Sequence, residues 1–197
     1  MGELKVVNCV FSGTLGQKLN LYQLFESVDG LSYDPSMYHG AYLRLRSLTV
    51  TLYHSGKYIF SGVKDLDSVD GLFSEMLCKL KGFIDESLVC QPELRNIVLM
   101  GNLGRALDLN LLYSYMLNSG EEVDYNPEVF PGLFWRSFGA TYNVFSSGKY
   151  MVLGLKSIDG LDSYSARFEE IVDHLRFSEV CHLKPVKFVQ GVCIDRV

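Results

Sequence analysis

The sequence predicts an α+β fold made by duplication: a curved antiparallel sheet, helices packed on one side of it, and a two-fold pseudosymmetry relating the two halves of the chain. Three observations predict it. The chain repeats itself, short period-two strands follow one another within each copy, and amphipathic helical stripes flank those strands. The repeat carries the most information. Asn8 recurs as Asn96, Leu15-Gly16 as Leu103-Gly104 and Leu19-Asn20-Leu21 as Leu107-Asp108-Leu109, all 88 residues apart. Farther on, Tyr33-Asp34-Pro35 recurs as Tyr125-Asn126-Pro127, Gly40 as Gly132, Arg44 as Arg136, Ser55-Gly56-Lys57-Tyr58 as Ser147-Gly148-Lys149-Tyr150, and Gly62 with Lys64 as Gly154 with Lys156, all 92 apart. The change in spacing is a four-residue insertion between Leu109 and Tyr125, where Asn118-Ser119-Gly120 suits a loop. Scattered glycines, a proline and charges do not coincide through a shared hydrophobic period, so the chain holds two copies of one structural unit.

Each copy reads strand, helix, several strands, helix. Residues 5–12 suit a strand, although their apolar run is too continuous to fix the buried face. From Asn20, Leu21, Leu24, Phe25 and Val28 follow helical spacing, and Leu109, Leu112, Tyr113 and Met116 repeat it. Ala41 to Arg46 alternates with period two, giving an apolar face and a second face carrying Tyr42, Arg44 and Arg46. Leu48–Tyr53 and Tyr58–Ser61 form two further strands around Ser55-Gly56, whose chemistry suits a tight hairpin, and the second copy keeps that hairpin at Ser147-Gly148. Val69, Leu72, Phe73, Met76, Leu77 and Leu80 then mark one face of a longer helix, matched by Leu161, Tyr164, Phe168, Ile171, Val172 and Leu175. Helices with one apolar face each cover one side of an antiparallel sheet and leave the other side free to bind.

Composition bounds the function. With 197 residues, 48% hydrophobic and 21% charged, the chain has the makeup of a globular protein with a sizeable core. No apolar run nears the roughly 18 residues a membrane helix requires, and the N-terminus does not read as a secretory signal; an intracellular protein without a membrane role is expected. Five cysteines include no Cys-x-x-Cys pair and read as buried thiols. Neither a metal nor a cofactor is expected, and no enzyme. Gly148-Lys149 lacks both the upstream glycine and the following Ser or Thr of a phosphate loop, Gly13-x-x-Gly16 is no dinucleotide fingerprint, and the four histidines lack ligand spacing. A net charge of −5 argues against indiscriminate nucleic-acid binding, so any nucleic-acid contact depends on where the cations cluster.

At this point the residues are recognisable. The opening-strand Asn, Leu-Gly, the Tyr-x-Pro block leading into an aromatic, the Phe-Pro-Gly-Leu of residues 130–133 and the paired Ser-Gly-Lys hairpins, in order and duplicated, resemble the core of the TATA-box-binding-protein family over residues 5–176. The resemblance implies a saddle: about ten antiparallel strands, four helices on the convex back, residues 1–88 and 89–176 as the two repeats, and 177–197 as an extension. It implies a general transcription initiation factor that binds and bends A·T-rich promoter DNA through the minor groove. It also implies a transcription factor B-like partner, an indirect link to RNA polymerase, and action where transcription occurs, in the nucleus of a eukaryote or the cytoplasm of an archaeon or a virus-infected cell.

The implied site residues can be weighed by chemistry. The minor groove over A·T pairs offers only acceptors, so the donors of Asn8 and Asn96 suit it, with Val10 and Val98 pressing on its floor. A single strand Asn is ordinarily solvated, but two at equivalent positions point to a shared site. Wedges at base steps fall on Tyr38 and Tyr53 in the first copy and Phe130 and Phe145 in the second. Aromatics in strands are ordinarily core. If these four are wedges, the tyrosine hydroxyls weaken the kink at the first-repeat end. Arg44 and Arg136, Lys57 and Lys149, and Lys64 and Lys156 form three related pairs for phosphate contact, although each alone is an ordinary surface charge.

Several positions depart from the family pattern. Where Leu and Thr are usual on the DNA-facing strands, this chain has Thr51 and Ser61, then Asn143 and Leu153, while Ile59 and Met151 stay apolar. An altered preferred sequence is expected, and a saddle-fold interaction module with altered or lost promoter specificity is the rival reading. The helices read acidic, with Asp65, Asp67, Asp70 and Glu75 in one and Asp159, Asp162, Glu169, Glu170 and Asp173 in the other, which argues against partners that need a basic helix and leans towards an archaeal-like or viral setting. Glu128 matches the carboxylate that meets transcription factor B in the family. The chain opens close to its first strand, so no variable N-terminal tail is expected. Val186, Phe188, Val192 and Ile194 of the extension suit either an added strand or a cover over a partner site.

Overall fold

A computed structural model describes residues 4–157 and 159–182, with side-chain surroundings as far as residue 175. The expected contributions of Val186, Phe188, Val192 and Ile194 lie outside the described residues. In chain order the elements are β1 (Lys5–Thr14), α1 (Leu21–Ser27), β2 (Leu31–Ser32), β3 (Gly40–Arg44), β4 (Thr49–Tyr53), β5 (Lys57–Val63), α2 (Val69–Leu80), β6 (Glu93–Asn102), α3 (Leu109–Asn118), β7 (Glu122–Asp124), β8 (Leu133–Ser137), β9 (Ala140–Val144), β10 (Lys149–Leu155) and α4 (Leu161–His182). The strands form one curved antiparallel sheet in the order β2-β3-β4-β5-β1-β6-β10-β9-β8-β7. That order reads the same from either end once each strand is exchanged for its repeat equivalent, with β1 and β6 in the middle.

The register places the pseudodyad to the residue. Cys9 pairs with Ile97, its own repeat equivalent, and on either side Asn8 pairs with Val98 while Val10 pairs with Asn96. The register shifts there at Val7 in β1 and at Arg95 in β6, again an equivalent pair, so even the irregularities obey the two-fold.

Period-two alternation decides which face the helices cover. Ala41 and Leu43, Val50 and Leu52, Tyr58 and Phe60 are buried, as are Trp135, Tyr142 and Tyr150, and all share one core with Leu21 and Leu24 of α1, Leu72 and Met76 of α2, Leu112 and Met116 of α3, and Phe168 and Val172 of α4. Fully burying a side chain of this size contributes about 1.5–3 kcal/mol, so the helix stripes decide the sheet's polarity rather than decorate it. The expected stripes hold except at Phe25, which is half exposed.

The repeated polar residues turn out to be local structural devices. The side chain of Asn20 caps α1 by accepting from the Gln23 N–H at 3.2 Å, and its equivalent Asp108 caps α3 by accepting from Asn110 at 2.9 Å and Leu111 at 3.1 Å. Asp34 and Asn126 each hold a turn through the N–H two residues on. The hairpins latch to the strand before them, Leu15 N–H donating to the Gly56 carbonyl at 2.8 Å and Leu103 N–H to that of Gly148 at 3.0 Å. Two expectations are corrected. The insertion is taken up mostly as helix, because α3 has ten residues where α1 has seven, although the chain does turn at Ser119-Gly120. Arg46 leaves the sheet: β3 ends at Arg44, the chain turns tightly from Leu45 to Leu48, and Arg46 pairs with Glu75 of α2 at 2.9 Å.

Candidate nucleic-acid interface

The helix-free face is built from the complementary set of alternate residues. Asn8 and Asn96 stand at its centre, partly exposed, on strands whose neighbouring Cys9 and Ile97 are fully buried under the helices. Each amide is tethered in the same way. Asn8 Oδ1 accepts from the Gly62 N–H at 2.8 Å and Asn96 Oδ1 accepts from the Gly154 N–H at 3.0 Å. A backbone N–H only donates, so the tether fixes which end of each amide is oxygen and leaves the two Nδ2 groups as unspent donors. Two such donors flanking a two-fold axis suit a surface that shows acceptors only, which is the minor groove over A·T pairs.

Gly62 and Gly154 make that tether possible by sitting at register shifts in β5 and β10 with φ of +88° and +91°. Space is not the constraint at Gly62, since a Cβ there would meet nothing within 4 Å. An L side chain at such a φ costs about 1–2 kcal/mol, and relaxing it rotates the N–H off the asparagine. Gly62→Ala is therefore expected to lower stability by about that amount and to weaken DNA binding by freeing the Asn8 amide, read by denaturant titration and by duplex affinity. Full retention of both would contradict the tether.

The sequence-predicted residues fall on this face with few surprises. Val10, Thr51, Tyr53 and Ile59, with Asn143, Met151 and Leu153, are half-buried there, and Ser61 is exposed. Val98 is on the same side but only 6% exposed, outside the core beneath the helices and shielded by its neighbours. Arg44 is exposed on β3, Lys57 and Lys149 open β5 and β10, and Lys64 and Lys156 follow immediately after these strands. Arg136 differs from Arg44: its Nη1 contacts Glu122 Oε1 of the edge strand at 2.9 Å. Glu128 is exposed in the turn before β8, beside Val129, which is 81% exposed, as is its equivalent Met37 at 82%.

The wedge positions are larger clusters than the sequence disclosed. Phe130 stacks on Phe134 with ring centroids 4.8 Å apart and meets Phe145 edge-on at 5.9 Å. In the first repeat Tyr38 stacks on Tyr42 at 5.6 Å and meets Tyr53 edge-on at 6.3 Å. Gly40 and Gly132 leave the room for these rings, because a Cβ at either would press on two of them. The hydroxyls of Tyr38 and Tyr53 hydrogen-bond to each other at 2.9 Å, and that bond, with burial, pushes the Tyr53 phenol up to about 12. The tyrosine pair thus carries its own partner.

Three residues of this face, Phe134, Met100 and Arg95, escaped the sequence reading, and Tyr42, placed there with Arg44, was not read as part of an aromatic cluster. Tyr42 and Phe134 complete the aromatic clusters, Met100 pairs with Met151 across β6 and β10, and Arg95 bonds the Ser12 hydroxyl at 3.0 Å while contacting Glu93 at 2.6 Å. Continuing the period of two from Asn96 through Val98 reaches Met100, and the same period links Arg44 to Tyr42 and Arg136 to Phe134; Arg95 had no such signal because it sits at the register shift.

The opposite, helix side carries the acids. Glu75 is engaged by Arg46, Asp173 by Arg105 at 3.1 Å and Glu170 by Arg167 at 3.0 Å, so part of the acidity is locally compensated. No described helix is long and apolar enough to cross a membrane, and among the described residues no group of three His, Cys, Asp or Glu could hold a metal.

Comparison with known proteins adds independent findings. The family model described as transcription factor TFIID, or TATA-binding protein, matches residues 3–83 and 91–175. TATA-box-binding protein C of Halobacterium salinarum is 34% identical over 181 residues, 87% of this chain and 98% of that protein. The TATA-box-binding protein of Sulfolobus acidocaldarius is 32% identical over 162 residues, 79% of this chain and 80% of that one. The solved structure of the Methanococcus jannaschii protein of this type superposes with a TM-score of 0.67 at 27% identity, covering 89% of this chain and 99% of the other.

Proposed function

The chain belongs to the transcription factor TFIID, or TATA-binding-protein, family, and from that premise we propose that it is a general transcription initiation factor acting on A·T-rich promoter DNA from the minor-groove side. It is not an enzyme. One observation carries the groove assignment: two amides, each with its oxygen already satisfied, present donors on either side of a two-fold axis at the centre of a sheet face that no described helix covers.

In this reading each repeat grips one half of the element. Val10 and Val98 line the middle, with Ile59 and Met151 beside them. The two aromatic clusters lie at repeat-equivalent positions, where inserting a ring between base steps unstacks them and kinks the duplex. The cations approach the phosphates, and each contact that releases a counterion steepens the salt dependence. The acids of the helix side keep DNA off the back of the saddle. A transcription factor B-like protein is the proposed partner, met through exposed Glu128 and the neighbouring Val129, and the polymerase is reached through it.

A fluorescent A·T-rich duplex titrated at several salt concentrations, with a donor and acceptor dye at its ends, tests the reading. Tight, salt-sensitive binding that draws the ends together supports it; no binding to any duplex, together with capture of a protein partner, supports the interaction module instead. The cation assignments are tested in the same assay. Arg44→Ala and Arg136→Ala should each flatten the log–log salt slope by about one unit. Because an exposed ion pair contributes only about 0–1 kcal/mol, the Glu122 contact yields to phosphate, and Glu122→Gln should tighten binding slightly. Unchanged slopes would remove both arginines from the phosphate contacts.

A further inference from the structure

We infer that Asn143 reads the exocyclic amino group of a guanine in the half-site held by the second repeat, so that the element bound by this protein includes a G·C pair there. The inference rests on the minor-groove reading above and sharpens it.

β9 alternates buried and half-buried residues, with Ala140, Tyr142 and Val144 under the helices, which puts Asn143 on the helix-free face. It stands in register between Phe134 on β8 and Met151 on β10, so apolar side chains of the aromatic cluster and of the groove floor flank it. Its Oδ1 is buried and has no hydrogen-bond partner among the described residues. The other buried side-chain atoms in that condition, Tyr150 Oη and Arg167 Nε, belong to a tyrosine of the core and to a residue of α4, so among the described residues Asn143 alone brings a buried, unmet acceptor to this face. The contrast with Asn8 and Asn96 is direct, since both of those have their oxygens met by glycine N–H groups. The repeat-equivalent position holds Thr51, between Tyr42 and Ile59, so the second half of the face alone carries an amide here.

An unmet acceptor calls for a donor. In the minor groove an A·T pair supplies acceptors only, and the one donor available from any base pair is the guanine N2 amino group. The amide also retains its own NH2, which suits the neighbouring guanine N3 or cytosine O2, so one side chain matches both functions of a G·C minor-groove edge. Reading the guanine requires the amide to turn about its side-chain torsions so that Oδ1, shielded in the free protein, faces the groove. An aliphatic residue here would fill the same place between Phe134 and Met151 and would discriminate against the amino group instead.

The test is a competition series in which a single G·C pair is placed in turn at each position of an A·T-rich duplex, measured for the wild-type protein and for Asn143→Leu. Within the wild-type series one second-half position should accept G·C with affinity at least equal to the parent, and replacing that guanine by inosine, which lacks only the amino group, should cost about tenfold, the scale of one base-specific contact. Within the Asn143→Leu series that position should disfavour guanine, and inosine there should restore binding. The thermal midpoint of Asn143→Leu should equal or exceed that of the wild type, because the unmet acceptor is gone. Identical rankings for the two proteins, or a wild-type penalty for G·C at every position, would overturn the inference while leaving the A·T-rich reading intact. Failure of the wild type to bind even the parent duplex would overturn both.

Discussion

The double substitution Asn8→Asp with Asn96→Asp is expected to abolish measurable binding to an A·T-rich duplex at moderate salt while leaving the fold in place. Aspartate has the shape of asparagine and still offers an oxygen to the Gly62 and Gly154 N–H groups, so the tethers survive. What changes is the end that faces outward: an NH2 donor becomes a second anionic acceptor, aimed at a groove floor made of acceptors and lying between phosphates. Leaving a buried group unmatched costs about 1–3 kcal/mol, more when it is charged, so two such mismatches reduce affinity by about a hundredfold to ten-thousandfold. Each single substitution should produce roughly half of that free-energy loss, because the two residues are equivalent about the axis. A tenfold loss or less in the double variant, with a normal unfolding transition, would remove the amide pair from the contact.

The second large effect belongs to the aromatic clusters. Phe130→Ala with Phe145→Ala should relax the bend at one end of the site and weaken binding by about 3–6 kcal/mol, the scale of two phenyl rings returned from a buried setting to water. The first repeat should respond differently. Tyr38 and Tyr53 spend one hydroxyl proton on each other, so Tyr38→Phe or Tyr53→Phe alone strands the remaining hydroxyl as the ring enters the base stack. Replacing both removes the polar pair together, which is the less costly change. The double variant is therefore expected to bend the first-repeat end more sharply than the wild type does, with each single variant weaker than the double. Dye-to-dye distances from labelled ends, one end at a time, read the result, and an unchanged bend in all three variants would show that the hydroxyls do not limit the kink.

These effects trace back to how much a linear sequence reveals. The duplication was legible because residues with fixed local duties recur: Asn20 and Asp108 cap helices, Asp34 and Asn126 hold turns, and Gly62 and Gly154 take a backbone conformation that other residues avoid. The central asparagines were legible for the same reason. Partnerships across strands were not. The stacking of Phe134 on Phe130 depends on register between a loop and β8, and the Tyr38–Tyr53 hydroxyl contact joins residues fifteen apart whose approach is decided by the sheet. Arg46 was misread for a related reason, since alternation continues on paper past Arg44 whereas the chain turns away to reach Glu75. The insertion followed the glycine to a loop, while the helix stripe through Leu112 and Met116 extended to absorb most of it.

The asymmetry between the halves bears on how the protein sits on DNA. A perfectly two-fold surface would bind either way round. Here hydroxyls mark one aromatic cluster and are absent from the other, an ion pair holds Arg136 but not Arg44 among the described residues, and a bare amide stands at Asn143 opposite Thr51. Each difference distinguishes one half-site from the other.

The most direct test of the central claim uses a duplex in which every A·T pair of the bound element is replaced by I·C. Inosine and cytosine reproduce the A·T minor groove, with acceptors and no amino group, while altering the major groove throughout. Binding and bending within a few-fold of the A·T duplex is the predicted result. Loss of binding to I·C DNA, with A·T binding intact, would contradict a surface that reads the double helix through two central amides on its minor-groove side.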